Sequence, residues 1–226
     1  MEIGIIGSGN IGSTLAGYLT KLGHQVAIAN SRGPETLTDI AEKTGAKATT
    51  AEQAASAKDL VIIAIPQKAM VKLHIDILSA SKAIVVDAGN YYPSRDGEIT
   101  EIANGATDSE WVSKVIGHTI IKAFNNIVAP SLASKATPSG TDNRIALSVA
   151  GDNAEQKQTV MKLIDEIGFD AIDGGLLSES WRQQPGEPAY CQDLVKENLK
   201  TALQQADISK RAENLAVADE MARPYL

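Results

Sequence analysis

Gly7, Gly9 and Gly12, with Ser8, Asn10 and Ile11 between them, follow a short apolar run from Glu2 to Ile6. A stretch of helical pattern comes next, and then a second apolar run at residues 25–29. Strand, G-x-G-x-x-G, helix and strand in this order form a dinucleotide-binding fingerprint. Gly7 permits the tight turn, Gly9 lets the backbone approach a pyrophosphate, and Gly12 lets the helix pack closely on the strand. The helix N-terminus then offers unpaired N–H groups and a partial positive charge to phosphate oxygens.

The end of the second strand bears on which dinucleotide is held. An Asp or Glu there bonds the ribose 2′-hydroxyl of NAD. This chain has Asn30, Ser31 and Arg32 instead, with no carboxylate. A guanidinium is a planar multi-donor for phosphate oxygens and a serine adds a neutral donor, so the set favours NADP(H) over NAD(H).

Three further strand ends belong to the same edge. Residues 60–65 are a continuous apolar run stopped by Pro66, and residues 83–87 are another, followed by Ala88, Gly89 and Asn90. In a doubly wound sheet these ends, with Ile65 and Pro66, lie beside the glycine loop. Residues 115–124 read as a sixth strand carrying His118 and Lys122 and ending at Asn125 and Asn126. A lysine within an apolar run needs a partner, either a ligand phosphate or a buried carboxylate. His118, Lys122, Asn125 and Asn126 are the candidates for a second, acceptor-binding wall. His24 and His74 read as structural or surface residues. Signatures of P-loops, zincins, C-x-x-C redox pairs and serine hydrolases are absent, so no side chain is assigned a catalytic role and no metal site is expected.

The elements that must position these residues follow from periodicity and punctuation. Helices are expected at 11–22, 35–44, 50–57, 67–79 and 131–135, with a short one around 99–103. A strand, a helix and a strand follow at 145–150, 154–167 and 169–173. Two helical stretches, 193–206 and 209–218, close the chain. Alternating strands and helices give an α/β fold of Rossmann type, with a doubly wound, mostly parallel sheet and a short helical C-terminal tail. The expected division is a dinucleotide-binding domain with its acceptor cleft over 1–182 and a helical tail over 183–226.

The 226 residues are 43% hydrophobic, enough for a sizeable core, and the net charge of −7 argues against general attraction to nucleic acid or an anionic membrane. The lone Cys191 suits a reducing, cytoplasmic compartment. No run approaches a membrane span.

Together the segments 7–12, 30–32, 64–66, 118–126, 149–152 and 177–180 resemble the NADPH-dependent coenzyme F420 reductases, also called F420-dependent NADP oxidoreductases. The stretch from Lys122 to Asn125 is also similar to the cytosolic reductase domain of the six-transmembrane metalloreductases. The resemblance implies an oxidoreductase. NADPH would lie along Gly7–Gly12, with its 2′-phosphate on Ser31 and Arg32 and its nicotinamide near Pro66 and Asn90. Hydride would pass to a deazaflavin (F420) or a flavin (FMN or FAD) bordered by His118–Asn126. The tail from Gln183 onward departs from the F420 enzyme pattern, and relatives bearing Arg182-Gln-Gln-Pro-Gly186, as here, need not share the acceptor. A homodimer joined through the C-terminal helices is the expected assembly. Two other readings stand beside this one: an NADPH-dependent reductase of a small imine or carbonyl, and a non-catalytic NADP(H)-sensing module.

Overall fold

The computed structural model describes residues 1–225. Its centre is a six-stranded sheet, built of β1 (Glu2–Ile6), β2 (Gln25–Ala29), β3 (Lys47–Ala48), β4 (Leu60–Ile63), β5 (Ile84–Asp87) and β6 (Ile120–Lys122). The order is β3-β2-β1-β4-β5-β6 and every pairing is parallel. This is the Rossmann arrangement expected above. β1 and β4 lie mid-sheet, covered on both faces, which is why, apart from Glu2 and Gly4 of β1, they consist of Ile, Leu and Val rather than alternating polar and apolar residues. A second parallel pair, β7 (Ala146–Val149) and β8 (Asp170–Asp173), is joined to β6 by an antiparallel backbone bridge between Lys122 and Ala150.

The helices are α1 (Asn10–Lys21), α2 (Thr38–Thr44), α3 (Ala51–Ala55), α4 (Gln67–Met70), α5 (Ile75–Ala80), α6 (Pro93–Asp96), α7 (Thr100–Ala103), α8 (Asp108–Ile116), α9 (Ala129–Ser134), α10 (Ala154–Ile167), α11 (Lys196–Gln205) and α12 (Arg211–Ala222). One apolar cluster joins α1 to the sheet through Leu15, Leu19, Ile3, Ile5 and Ile28. Another, on the opposite face, joins α8 to it through Trp111, Val112, Ile63 and Val85. No helix among the described residues is long and apolar enough to cross a membrane.

The sequence expectation fails in two places. Residues 115–124 are not one strand: their first two residues end α8, and only 120–122 pair as β6. Capping chemistry decides this against β-branched content. The Thr107 side chain accepts from the Glu110 N–H, the Glu110 carboxylate accepts from the Thr107 N–H, and Gly117 ends the helix at φ 64°. The expected helix 67–79 is two, α4 and α5, separated by a turn in which Lys72 N–H donates to Ala69 and Leu73 N–H to Met70. No glycine or proline marks that break, so periodicity alone runs straight through it.

The boundary expected after residue 182 falls inside a 3-10 helix, Leu177–Gln183. Gln183 is fully buried, and its side chain donates to Asn125 and to the Ser148 carbonyl.

Candidate dinucleotide and acceptor site

Because β1, β4, β5 and β6 run parallel, the loops after them share one edge. These loops are Gly7–Gly9, Ala64–Pro66, Ala88–Asn90 and the turn over 123–126. The glycine loop has no spare room at two positions. A Cβ on Gly12 would stand 1.9 Å from the Gly7 carbonyl oxygen, and one on Gly7, whose φ is 120°, would stand 2.2 Å from that of Ala64. Gly9 is different: a Cβ there would meet nothing within 4 Å, so its face is open. Gly9 is the N-cap of α1, no side chain caps the helix, and its first turn holds no acid. The leading N–H groups of Asn10, Ile11 and Gly12 therefore lack an acceptor within the helix. An uncapped twelve-residue helix facing an open glycine fits a dinucleotide pyrophosphate.

A cleft of about 520 Å³ opens from this loop. It extends past Ala64, Ile65 and Pro66 on one wall and Asn30 and Ser31 on another. The Asn30 side chain is committed to its own turn: its oxygen accepts from the N–H groups of Arg32 and Gly33, and its amide donates to Thr36. Asn30 thus shapes the loop that leaves Ser31 and Arg32 exposed. The third wall is the turn between α4 and α5, with Lys72, Leu73 and His74. His74, read from sequence as structural or surface, lines the cleft. The unpunctuated helix break that brings it there left no sequence signal.

The turn Ala88–Asn90 is held by buried charge. Lys122 and Asp87, both fully buried, form an ion pair of 2.9 Å. Asp87 also accepts from Gly89 N–H (2.9 Å) and Ser109 Oγ (2.7 Å), while Lys122 donates to the Gly89 carbonyl. One residue on, Tyr91 N–H donates to Asp108 (2.9 Å), and Arg95 donates to the Asn90 carbonyl. Asn90 and Asn125 are tied to each other: Asn90 Nδ2 donates to the Asn125 carbonyl and Asn125 Nδ2 to Asn90 Oδ1 (3.0 Å). Asn125 in turn exchanges bonds with Gln183. Phe124, just before it, is held at φ 63°, a strained setting for an aromatic residue.

The acceptor wall drawn from sequence needs correction. His118 is not in a strand at the ligand edge. It precedes β6, at the sheet's opposite edge, with its ring nitrogens against the carbonyls of Thr119 and Ser81. Lys122 faces the buried carboxylate of Asp87 and has no exposure to a ligand. Asn125 is buried in the amide chain described above. Asn126 is 4% exposed, and its Oδ1 has no partner among the described residues. Of the four, Asn125 and Asn126 stand on the turn after β6, at the edge shared with the glycine loop. The structure adds Asp87, Arg95, Asp108 and Gln183 to the residues that shape this edge. Among the described residues no group of three His, Cys, Asp or Glu is placed to hold a metal ion.

Beyond Tyr91, the phenols of Tyr92 and Tyr190 meet at 2.7 Å, and burial raises the pKa of each, so both stay protonated. Burial also pushes the thiol of Cys191 up to about 11, which leaves little thiolate near neutrality. Asp108 is buried as well, and desolvation lifts its pKa above the ordinary 3.8, against the pull of Lys122 and the Tyr91 N–H. The folded chain therefore binds this proton more tightly than the unfolded chain does. The stability contributed is full below about pH 3.8 and is lost as pH rises through the raised value. Asp108→Asn should therefore gain on wild type in urea midpoint as pH is raised from about 4 to about 7. A difference between the two proteins that stays constant over that range would contradict this assignment.

The comparisons with known proteins agree with this fold. The family model for coenzyme F420-dependent NADP oxidoreductases matches residues 2–91, from β1 through the Gly89–Asn90 turn. Protein SMa0349 of Sinorhizobium meliloti is 33% identical, with a TM-score of 0.73 over 87% of this chain and 96% of that one. Residues 2–91 belong to the coenzyme F420-dependent NADP oxidoreductase family. A structure from Arthrobacter sp. FB24, described as an F420-dependent NADP reductase, shares the fold at 23% identity, with a TM-score of 0.66 over 80% of this chain and 87% of that one. Metalloreductase STEAP3 of Rattus norvegicus is 27% identical over 180 residues, which is 79% of this chain and 35% of that protein. The chain spans 56% and 35% of the curated relatives it matches first. The matched family is one of NADP oxidoreductases.

Proposed function

We propose that this protein transfers hydride between NADPH and a ring acceptor, a deazaflavin such as F420 or a flavin (FMN or FAD). The observation that carries the reading is the open, uncapped start of α1 beside an acid-free Ser31–Arg32 turn, in a chain of this family. Backbone N–H groups of Ser8 to Gly12 would hold the pyrophosphate, and Ser31 and Arg32 the 2′-phosphate. Ile65, Pro66 and Ala88 to Asn90 would border the nicotinamide. When bound, the nicotinamide supplies the hydride, and the acceptor takes it up with a proton from solvent. The protein's part is orientation. The Ala88–Asn90 turn is fixed by Asp87, Lys122, Arg95 and Asn125 before any ligand arrives, which lowers the ordering cost of a productive approach. No side-chain acid or nucleophile is needed for the transfer itself.

The acceptor would enter beside Asn126, whose amide oxygen is buried and has no partner among the described residues. The same reading places the protein in the cytoplasm as a homodimer joined through α11 and α12. On α12 and just beyond it, Val217, Met221 and Tyr225 are exposed.

The test is NADPH oxidation by the purified protein with F420, FMN and FAD supplied separately. Turnover with at least one of them is expected. Binding of NADPH without turnover on any would remove the ring-acceptor reading, leaving a small imine or carbonyl substrate, or a sensing role. The cofactor half has its own check: Arg32→Asp should weaken NADPH by about 10- to 100-fold and leave NADH little changed. An unchanged preference would contradict the assigned 2′-phosphate position.

A further inference from the structure

The cleft has one cation that the fingerprint does not account for. Its lining comes from Gly7–Gly9, the end of β2, the start of α3, the loop after β4 and the α4–α5 turn, and it includes no Asp or Glu. Apolar groups dominate the far wall, with Ala51, Ala69 and Leu73 among them. Within that wall stands Lys72, an exposed lysine that forms no ion pair among the described residues. The turn that carries it is the helix break between α4 and α5, and without that break residues 72–74 would continue a helix instead of forming this wall.

We propose that Lys72 is a further determinant of dinucleotide choice, reaching the adenosine 2′-phosphate from the wall opposite Ser31 and Arg32. The inference rests on the NADP reading above and extends it. Ser31 and Lys72 line one continuous cavity, so an adenosine seated between them has the β2 turn on one side and the α4–α5 turn on the other. A dianionic 2′-phosphate carries more acceptor sites than one guanidinium and one hydroxyl satisfy. A lysine is a compact charge on a flexible stem, suited to meeting such a group across a cleft. The apolar residues around it leave the ammonium nothing else in the cleft to pair with, and they favour an adenine face alongside.

Calorimetric titration with adenosine fragments tests this without any acceptor. The probes are 2′,5′-ADP and 5′-AMP, which differ only in the 2′-phosphate. Lys72→Ala should weaken 2′,5′-ADP by about tenfold while leaving 5′-AMP unchanged, and Lys72→Arg should retain most of the affinity. Equal weakening of both probes would move Lys72 to the 5′-phosphate and overturn the proposal, as would no weakening of either. The outcomes separate the two levels of argument. A wild type that prefers 2′,5′-ADP with a Lys72→Ala variant of equal preference removes the role of Lys72 alone. A wild type with no preference removes the NADP reading and this extension together.

Discussion

Lys122→Met is expected to lower stability by about 3–5 kcal/mol, read as a fall in urea midpoint at unchanged slope. The size follows from what is left behind. Asp87 would remain fully buried with only Ser109 Oγ and Gly89 N–H for its charge, and the Gly89 carbonyl would lose its donor. Asp87→Asn should be costly for the reciprocal reason, since the ammonium would face a neutral amide. The double variant Lys122→Met/Asp87→Asn should cost less than the sum of the two, because neither charge then stays unpaired. Strict additivity in that cycle would show that the two groups do not act as a pair. The same variants should slow NADPH oxidation more than they weaken NADPH binding, since the pair holds the Gly89–Asn90 turn and lies away from the adenosine end.

Gly12→Ala is the second large effect. The new methyl would stand 1.9 Å from the Gly7 carbonyl oxygen, a backbone atom in the turn that begins the cleft. Either α1 shifts outward or the turn opens, and both spoil the alignment of Gly9 with the free N–H groups of the helix. A stability loss of about 3 kcal/mol and a loss of NADPH affinity of about 100-fold or more are expected, from a thermal melt and a fluorescence titration. Gly9→Ala is the control. Its Cβ meets nothing within 4 Å among the described residues, so it should fold as wild type and lose affinity through the ligand alone. Normal binding by Gly12→Ala would mean that the helix start is not where the pyrophosphate sits.

The glycine loop, the apolar strands and the β7–α10–β8 unit were legible in the sequence because each rests on local pattern. Gly7 to Gly12 announce a turn and a helix start within six residues. The acceptor wall was not legible, because its meaning lies in pairings far apart along the chain. Lys122 looks like a ligand until β5 and β6 are placed in register, which sets Asp87 directly against it. Both strands end in a charge, and that coincidence was the available signal. His118 lies outside the strand because the capping box at Thr107 and Glu110 starts a helix that takes residues 115–116 and ends at Gly117. The left-handed backbone at Phe124 has no sequence sign at all, since a buried aromatic gives no hint of φ 63°.

The turn at Gly89–Asn90 closes the segment that the family model matches, yet the groups that hold it come mostly from later in the chain: Arg95, Asp108, Ser109, Lys122, Asn125 and, behind Asn125, Gln183. The first ninety residues are therefore not a transplantable module. A chimaera that joined them to the second half of another Rossmann protein would keep its glycine loop but lose the braces of the Gly89–Asn90 turn. On the proposed function, such an exchange is expected to preserve cofactor binding and forfeit turnover, unless an acid facing Tyr91 and a lysine facing Asp87 travel with the graft.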